Sequence, residues 1–588
     1  MAQSRWWYWL ALALIVVLAG SLRIGTTDLT RQIVDGDETI YWYSAGDLIE
    51  HGTLTREIDG AMYRGEAPME PTSRLSPGYP LFIAAVRAMG GGVSTVLASN
   101  IVLGMVSLLL VLLIMRELGL GRWATVLAFL LAATYPGFIY NLDRMLTEQL
   151  YVALFTGFVF AAVRGMRTDA VAWTAVAAAL LTLAVHVRAQ ALPFALLAAV
   201  FMHATLRRER ASRHLLALAI VMLALMAPWW IRNALTFGRL ILLTEAGEGA
   251  AVWGAVPYFI DMGSARGDLV DVVARNLPPA PDVYWRWRVF GFLHYMWGDI
   301  WDERLVHPVL SLRKLLLLHP FAVVLPLVAA PLLALRRQPL VLFVACIPMA
   351  VTLMAAPYHG LPRYAFPAVP FAFVILAALL STPRAPTLAA GPLASWQHQL
   401  GRWLGRGFLA ASLLFSALLV YALVFFGPRI GLEQSGYRLA RYMGTRIDQL
   451  GSPVQVTRID LRPVPVENTS VIRPGRVVND VDAPAVIKLQ VPRLQDSARV
   501  VTEVRLAMHG GFHYDYTTVY WTGARTPAIS ENAVYKFPNH AWRDGVTVYI
   551  DDDVDHLMIV PFVFRWGKME LDSAVVKKYR VPPPSSSP

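Results

Sequence analysis

The residues of this chain whose chemistry could serve a reaction stand in short polar stretches between long apolar ones. The first stretch, residues 25–77, contains Asp35-Gly-Asp37-Glu38-Thr39-Ile-Tyr41, and Arg74-Leu-Ser-Pro77 leads from its end into Gly78-Tyr79-Pro80. It carries ten Asp and Glu against four Arg. A carboxylate held beside lipid is partly desolvated, which makes it a better general base; a solvated acidic loop is the plain alternative. Asp143-Arg144 and Thr147-Glu148 follow Thr134-Tyr135-Pro136. His186 with Arg188, Arg232 with Asn233, and Arg363-Tyr364 within Gly360–Pro370 complete the set. A guanidinium matches a phosphate with two parallel hydrogen bonds, so several arginines near one another suit an anionic lipid head group. Charges at a helix end beside lipid are costly unless paired or functional, and the simpler alternatives are a snorkelling Asp143–Arg144 pair and arginines paired with first-loop carboxylates.

Apolar helices must position these residues. Of 588 residues, 56% are hydrophobic and 16% charged, and the mean hydropathy is +0.48. A soluble protein keeps roughly a quarter of its residues charged. The pattern predicts a polytopic α-helical membrane protein with eleven spans, at 6–24, 95–116, 122–140, 146–164, 170–187, 190–206, 213–231, 319–335, 339–356, 365–382 and 407–427. The apolar Tyr79–Met89 segment is too short to cross and is expected to lie along the interface. The first span follows Arg5, has no small-residue cleavage site, and reads as a retained helix.

The net charge of +11 does not point to nucleic acid, because the basic residues concentrate in short loops. Arg116, Arg122, Arg164, Arg167, Arg207, Arg208, Arg336, Arg337 and Arg384 fall on one side, and the acidic loop 25–77 and the loop 232–318 on the other. The positive-inside bias then puts the N-terminus in the cytoplasm and the C-terminus outside. Arg188, Arg232 and Arg363 stand on the outer face, where arginine is disfavoured. Cys346 is the single cysteine, so neither a disulfide framework nor a cysteine metal site arises. With no cysteine pairs and no retention signal, a bacterial inner membrane is expected, with the active face periplasmic.

Residues 435–582 change character. Runs such as Ala485-Val-Ile-Lys-Leu-Gln-Val and Val546-Thr-Val-Tyr-Ile, divided by Pro, Gly, Asn and Asp, predict a C-terminal, extracytoplasmic, mostly-β sandwich-like domain. Tyr514, Tyr516 and Trp521 are expected to be exposed for stacking on sugars, and Asp551-Asp552-Asp553 reads as a solvated turn or a calcium ligand set. Residues 583–588 are expected to be a disordered tail. Within 232–318, Trp285-Arg-Trp-Arg288 and His294-Tyr-Met-Trp297 predict amphipathic helices in the interface, as an anchor or as a cap over the site.

Asp37-Glu38-Thr39 with Tyr41, then Arg74 and Pro77-Gly78-Tyr79-Pro80, resemble the first loop of GT-C-fold glycosyltransferases, in particular the protein O-mannosyltransferase and aminoarabinose transferase groups. Thr147-Glu148 after Tyr135-Pro136 is similar to their second acidic position, where many members have Asp. Arg232-Asn233 with Gly238, and Arg363-Tyr364 with Pro367 and Pro370, also resemble that family. The likeness covers about residues 1–430; the closest-patterned groups do not share the tail.

The resemblance implies inverting transfer of a sugar from a polyprenyl-phosphate carrier to an acceptor hydroxyl on an envelope glycan, lipid or protein. It implies Asp37 as general base, with Glu38 positioning it and Asp35 as rival. Glu148 would orient acceptor or sugar, or ligate a divalent cation if one is used. Arg363, Arg188 and Arg74 would hold the leaving phosphate, and Tyr79, Asp143, His186, Arg232 and Tyr364 complete the substrate contacts. A transporter or flippase for a lipid-linked glycan is the competing reading. It would place ionisable groups or broken helices at mid-membrane, whereas here they gather at one surface. No Gly-rich phosphate loop supports a nucleotide-sugar donor.

Overall fold

The computed structural model describes residues 3–33, 36–57, 60–245, 247–260, 267–298, 300, 319–336, 338–358, 360–381, 395–479, 484–494, 499–510, 516–529, 534–538, 546–562 and 568–581. Asp35, Tyr514 and the tail 583–588 lie outside these residues. Six helices are long and apolar enough to cross a membrane: Trp6–Thr26, Val93–Glu117, Glu148–Thr168, Arg208–Phe237, Pro362–Leu380 and Gln399–Met443. A seventh candidate is the pair Arg122–Ala133 and Gly137–Asp143, bent by 50°. Shorter apolar helices cover Val171–Val187, Ala189–Thr205, Pro320–Leu335 and Pro339–Ala355. Every segment read as a span is thus an apolar helix, but four of them lie at the short end of what a crossing needs, about 17 residues.

The bend falls at Thr134-Tyr135-Pro136, where proline removes a backbone donor and clashes with the preceding turn. Carbonyls at the bend and at the far end of the Gly137–Asp143 arm find side-chain partners. Arg23 Nη1 donates to Ala133 O at 3.1 Å, and Asn100 Nδ2 donates to Leu142 O at 3.0 Å and Arg144 O at 2.9 Å. These contacts fix the chain that delivers Glu148 to the start of its helix.

The first polar stretch is not a loop throughout. Asp37–His51 is a helix that opens at Gly36 and closes at Gly52, both at φ +63°. Asp37 and Glu38 occupy its first turn, where a carboxylate complements the helix dipole. Gly78–Ala88 is a second short helix, and buried Tyr79 packs edge-on against Tyr41 at 5.0 Å.

The last membrane helix runs on to Met443, beyond the expected boundary at 435, and strands begin at Gln455. They form an antiparallel sandwich. In one sheet the order is β3 (Thr469–Arg473), β4 (Arg476–Asn479), β11 (Lys568–Val581), β6 (Arg499–Gly510), β9 (Val546–Ile550), with β1 (Gln455–Asp460) on β11. In the other it is β2 (Val466–Glu467), β5 (Ala485–Gln490), β10 (Val554–Phe562), β7 (Tyr516–Gly523), β8 (Val534–Pro538).

Two expectations for this region are corrected. Trp521 is fully buried between the sheets, because alternation along β7 turns it inward with Val519. The Asp551–Asp553 triplet is buried too: Asp551 pairs with Arg438, Asp553 with Lys578, and Asp552 accepts from Arg525 N at 2.9 Å. Those cations compensate two of the carboxylates. The aromatics of 281–297 also go inward. Trp287, Tyr295 and Trp297 are buried in protein, and of the tryptophans in this run Trp285 is exposed.

Candidate functional site

Glu148 is the centre of a charged cluster at one end of the helices. Its carboxylate is 1% exposed and accepts from Arg188 Nη2 and from Arg363 Nε, with Arg363 Nη2 at 3.4 Å from its second oxygen. Arg363 Nη1 reaches the other way and donates to Asp37 Oδ2 at 2.8 Å. Arg188 Nε donates to Thr147 Oγ1 at 2.8 Å, and its Nη1 is buried with no hydrogen-bond partner among the described residues. Four groups from four separate parts of the chain therefore share one ion-pair network. Asp37 is the accessible member, with its side chain 47% exposed.

Each is placed by a helix terminus. Asp37 and Glu148 stand in first turns, Arg188 follows the last turn of Val171–Val187, and Arg363 opens Pro362–Leu380. The opposite end of the Glu148–Thr168 helix carries Arg164 and Arg167, both paired with Glu117.

The network opens onto a cleft of about 480 Å³ lined by Asp37, Tyr41, Arg74, Thr147, Arg188, Gln190, Thr244, Tyr358, Arg363 and Tyr364 among others. Sequence reading named five of these as site residues (Asp37, Arg74, Arg188, Arg363 and Tyr364), quoted Tyr41 and Thr147 only within the motifs of Asp37 and Glu148, and passed over Gln190, Thr244 and Tyr358. Tyr41 was legible, since it lies one helical turn from Asp37 and so on the same face. Burial, reinforced by the Asp37 charge, pushes its hydroxyl up to about 12 despite Arg363, so it keeps its proton and can donate.

A second, apolar groove of about 540 Å³ adjoins the cleft across Val187, which lines both. Leu48, Leu54, Leu81, Phe82, Leu150 and Trp229 form its walls. His186 and Arg232 face this groove rather than the charged cleft. Arg232 donates to Thr72 O at 3.1 Å and lies over Trp229 at 5.0 Å.

Glu38 and Asp143 are apart from the cleft lining. Glu38, 2% exposed, takes two hydrogen bonds from Arg31 at 2.8 and 2.7 Å and one from Met145 N at 3.0 Å. Arg31 also donates to Asp143 O. The pair Arg31–Glu38 thus clasps the first loop to the 141–147 turn. Tyr79 lies beneath Tyr41 and supports it.

A divalent cation does not fit at Glu148, because both of its oxygens face guanidiniums that would repel it. Among the described residues no three His, Cys, Asp or Glu are grouped as a metal site.

No protein-family model matches the chain, and no curated protein matches it. Among solved structures it is similar to ArnT from Cupriavidus metallidurans, seen bound to undecaprenyl phosphate (13% identity, TM-score 0.38, 73% of this chain and 77% of that one). The apo state of the same protein gives 13% identity and a TM-score of 0.39 over 74% of this chain and 77% of that one. The arabinosyltransferase EmbB from Mycobacterium smegmatis gives 11% identity and a TM-score of 0.34 over 97% of this chain and 64% of that one. ArnT and EmbB are GT-C glycosyltransferases, the class that the first-loop motifs resemble; the scores mark a distant likeness, and the functional reading rests on this chain's own residues.

Proposed function

We propose that this protein is a GT-C-type glycosyltransferase that moves a sugar from a polyprenyl-phosphate carrier to an acceptor hydroxyl on the extracytoplasmic face of a bacterial inner membrane. The carrying observation is the Asp37–Arg363–Glu148–Arg188 network at a cleft that also bears Arg74, with an apolar groove beside it. A polyprenyl-phosphate sugar needs this pair of environments, one for the charged head and one for the tail. ArnT, similar in fold, has been seen with undecaprenyl phosphate. On this reading the four shorter apolar helices join the seven candidate spans as crossings, eleven in all, and the sandwich lies outside.

In the reaction the acceptor oxygen attacks the anomeric carbon from the face opposite the phosphate. The C–O bond to phosphate breaks with inversion, and Asp37 takes the acceptor proton. Polyprenyl phosphate leaves with its new charge held by Arg363, Arg188 and Arg74. Asp37 suits the base role because it is the exposed carboxylate of the network; Glu148 is enclosed by arginines and serves as their anchor. Arg363 must loosen from Asp37 as the phosphate arrives, which frees the carboxylate when the donor is in place. Glu38 acts as a brace for the first loop. The acceptor is an envelope glycan, lipid or protein, and the sandwich serves to position it.

Asp37→Asn tests the assignment. Purified protein is incubated with a panel of polyprenyl-phosphate sugars and acceptor, and donor consumption is followed. Loss of transfer by about 10²–10⁴-fold with donor binding retained supports a general base. Transfer that survives refutes Asp37 as the base, and lipid-linked glycan translocation without donor cleavage refutes the transferase reading in favour of a transporter.

A further inference from the structure

The helical segment 281–297 faces neither the cleft nor the groove, yet it touches what builds both domains. On one side Trp287 and Tyr295 belong to the same buried cluster as Trp521, Val548 and Ile559 of the sandwich. Arg286 pairs with Glu433 at 2.9 Å, and Gln434 Nε2 donates to the Tyr295 hydroxyl at 3.2 Å. On its other side, Arg288 forks between two helix ends. Its Nη1 donates to Gly254 O at 2.7 Å, at the end of Gly247–Gly254. Its Nη2 donates to Ala356 O at 2.9 Å and Pro357 O at 3.3 Å, just past Pro339–Ala355. Among the described residues Arg288 pairs with no carboxylate, so its charge is met by carbonyls at the negative ends of helices, a placement that stabilises a cation.

The second of those ends leads directly into the turn that carries Arg363. That turn is also pressed against the same segment. A Cβ on Gly360 would lie 2.4 Å from Phe292 O, so only glycine lets the two backbones approach this closely. Trp297 Nε1 donates to Thr352 Oγ1 at 3.0 Å, inside Pro339–Ala355.

We infer that Arg288 is a positioning residue that holds the Arg363 turn at the cleft, and that the 281–297 segment makes the C-terminal sandwich part of the frame fixing that arginine. The inference rests on the glycosyl-transfer reading for its kinetic consequence and on geometry alone for its structural one. Lysine at 288 keeps the charge but cannot fork to both helix ends.

The test compares Arg288→Gln and Arg288→Lys in the full chain. Hydrogen exchange over residues 356–364 is expected to quicken in both variants while the membrane helices exchange as before. Unchanged exchange there overturns the inference, whether or not any sugar donor is consumed. With a consumed donor, a displacement of about 1 Å at Arg363 is expected to cost on the order of 10²-fold in turnover for the glutamine variant and less for lysine. Added to Arg363→Lys, the Arg288→Gln change is expected to lower turnover by less than about threefold further, since both act through one guanidinium. A full multiplicative loss, or normal turnover in Arg288→Gln, also overturns it. Should the glutamine variant fail to fold, the lysine variant carries the same measurements. Wild-type protein inert towards every polyprenyl-phosphate sugar would sink the functional reading and leave the exchange result standing.

Discussion

Replacing Glu148 with glutamine removes the charge on which two arginines converge while keeping the side-chain shape. In the intact network Arg188 and Arg363 face Asp37 and Glu148, two positive against two negative. The glutamine variant leaves two positive charges against one, with Arg74 a further cation on the cleft lining. Breaking a buried ion pair by removing one partner costs about 3–5 kcal/mol. Asp37 still holds Arg363 and Thr147 still accepts from Arg188, so a smaller loss of about 2–3 kcal/mol is expected, below that of a fully uncompensated pair.

The direction for ligand is opposite. Guanidiniums released from Glu148 become free for a phosphate, and a gain of about 1.4 kcal/mol would tighten binding about tenfold. The assay is a thermal-shift titration with undecaprenyl phosphate beside donor turnover. Glu148→Gln should start less stable than wild type, gain more from the ligand, and turn over about 100-fold more slowly because the arginines are no longer anchored. A variant with wild-type stability and wild-type affinity would refute the view that Glu148 holds the arginines in place of phosphate.

Other perturbations separate bracing from chemistry. Glu38→Gln should lower thermal stability by about 3 kcal/mol through loss of the buried Arg31 clasp, yet leave turnover per folded molecule within about threefold; a selective loss of turnover would restore Glu38 to the reaction. Arg438→Gln removes the partner of Asp551 and the cation over Trp521 at 4.7 Å, and limited proteolysis should then cut the chain faster between the last helix and the sandwich. Asp555 is held down at about 2: partial burial pushes its carboxyl up, but hydrogen bonds from Thr522 and His556 and the Arg493 charge outweigh it. Its folded value lies below its unfolded one, so its contribution is present above about pH 4 and fades as pH falls through 2. With solvent screening this is worth about 1 kcal/mol, so Asp555→Asn should be less stable than wild type at pH 6, with the difference shrinking as pH falls through 2 and vanishing only near pH 1.

Much was legible in the sequence because it depends on local composition. A helix in lipid must satisfy its backbone internally and present apolar side chains all round, so each membrane helix announces itself as an apolar run. The charged residues between those runs are few, and Asp37, Glu148, Arg188 and Arg363 stood out for that reason. Helix lengths were less legible. Whether an apolar run stops at 17 residues, as Val171–Val187 does, or continues to 30, as Arg208–Phe237 does, is set by turns and caps such as Gly238 at φ +66°.

The sequence suggested that outer arginines pair with first-loop carboxylates, as Arg363 does with Asp37, but not which carboxylate each would meet. Asp37 and Glu38 are adjacent, have the same chemistry, and occupy one helical turn, but successive helical residues point about 100° apart. One therefore meets Arg363, 326 positions away, and the other Arg31, seven positions away. In the same way three consecutive aspartates read as a solvated turn, and became buried pairs only because Arg438 and Lys578 arrive from distant elements. Composition and periodicity determined which segments are membrane helices, which form the sandwich, and which residues carry charge. Only the tertiary structure decided which of those charges compensate one another, because a buried charge is tolerated only where chain from elsewhere brings its partner within hydrogen-bonding distance.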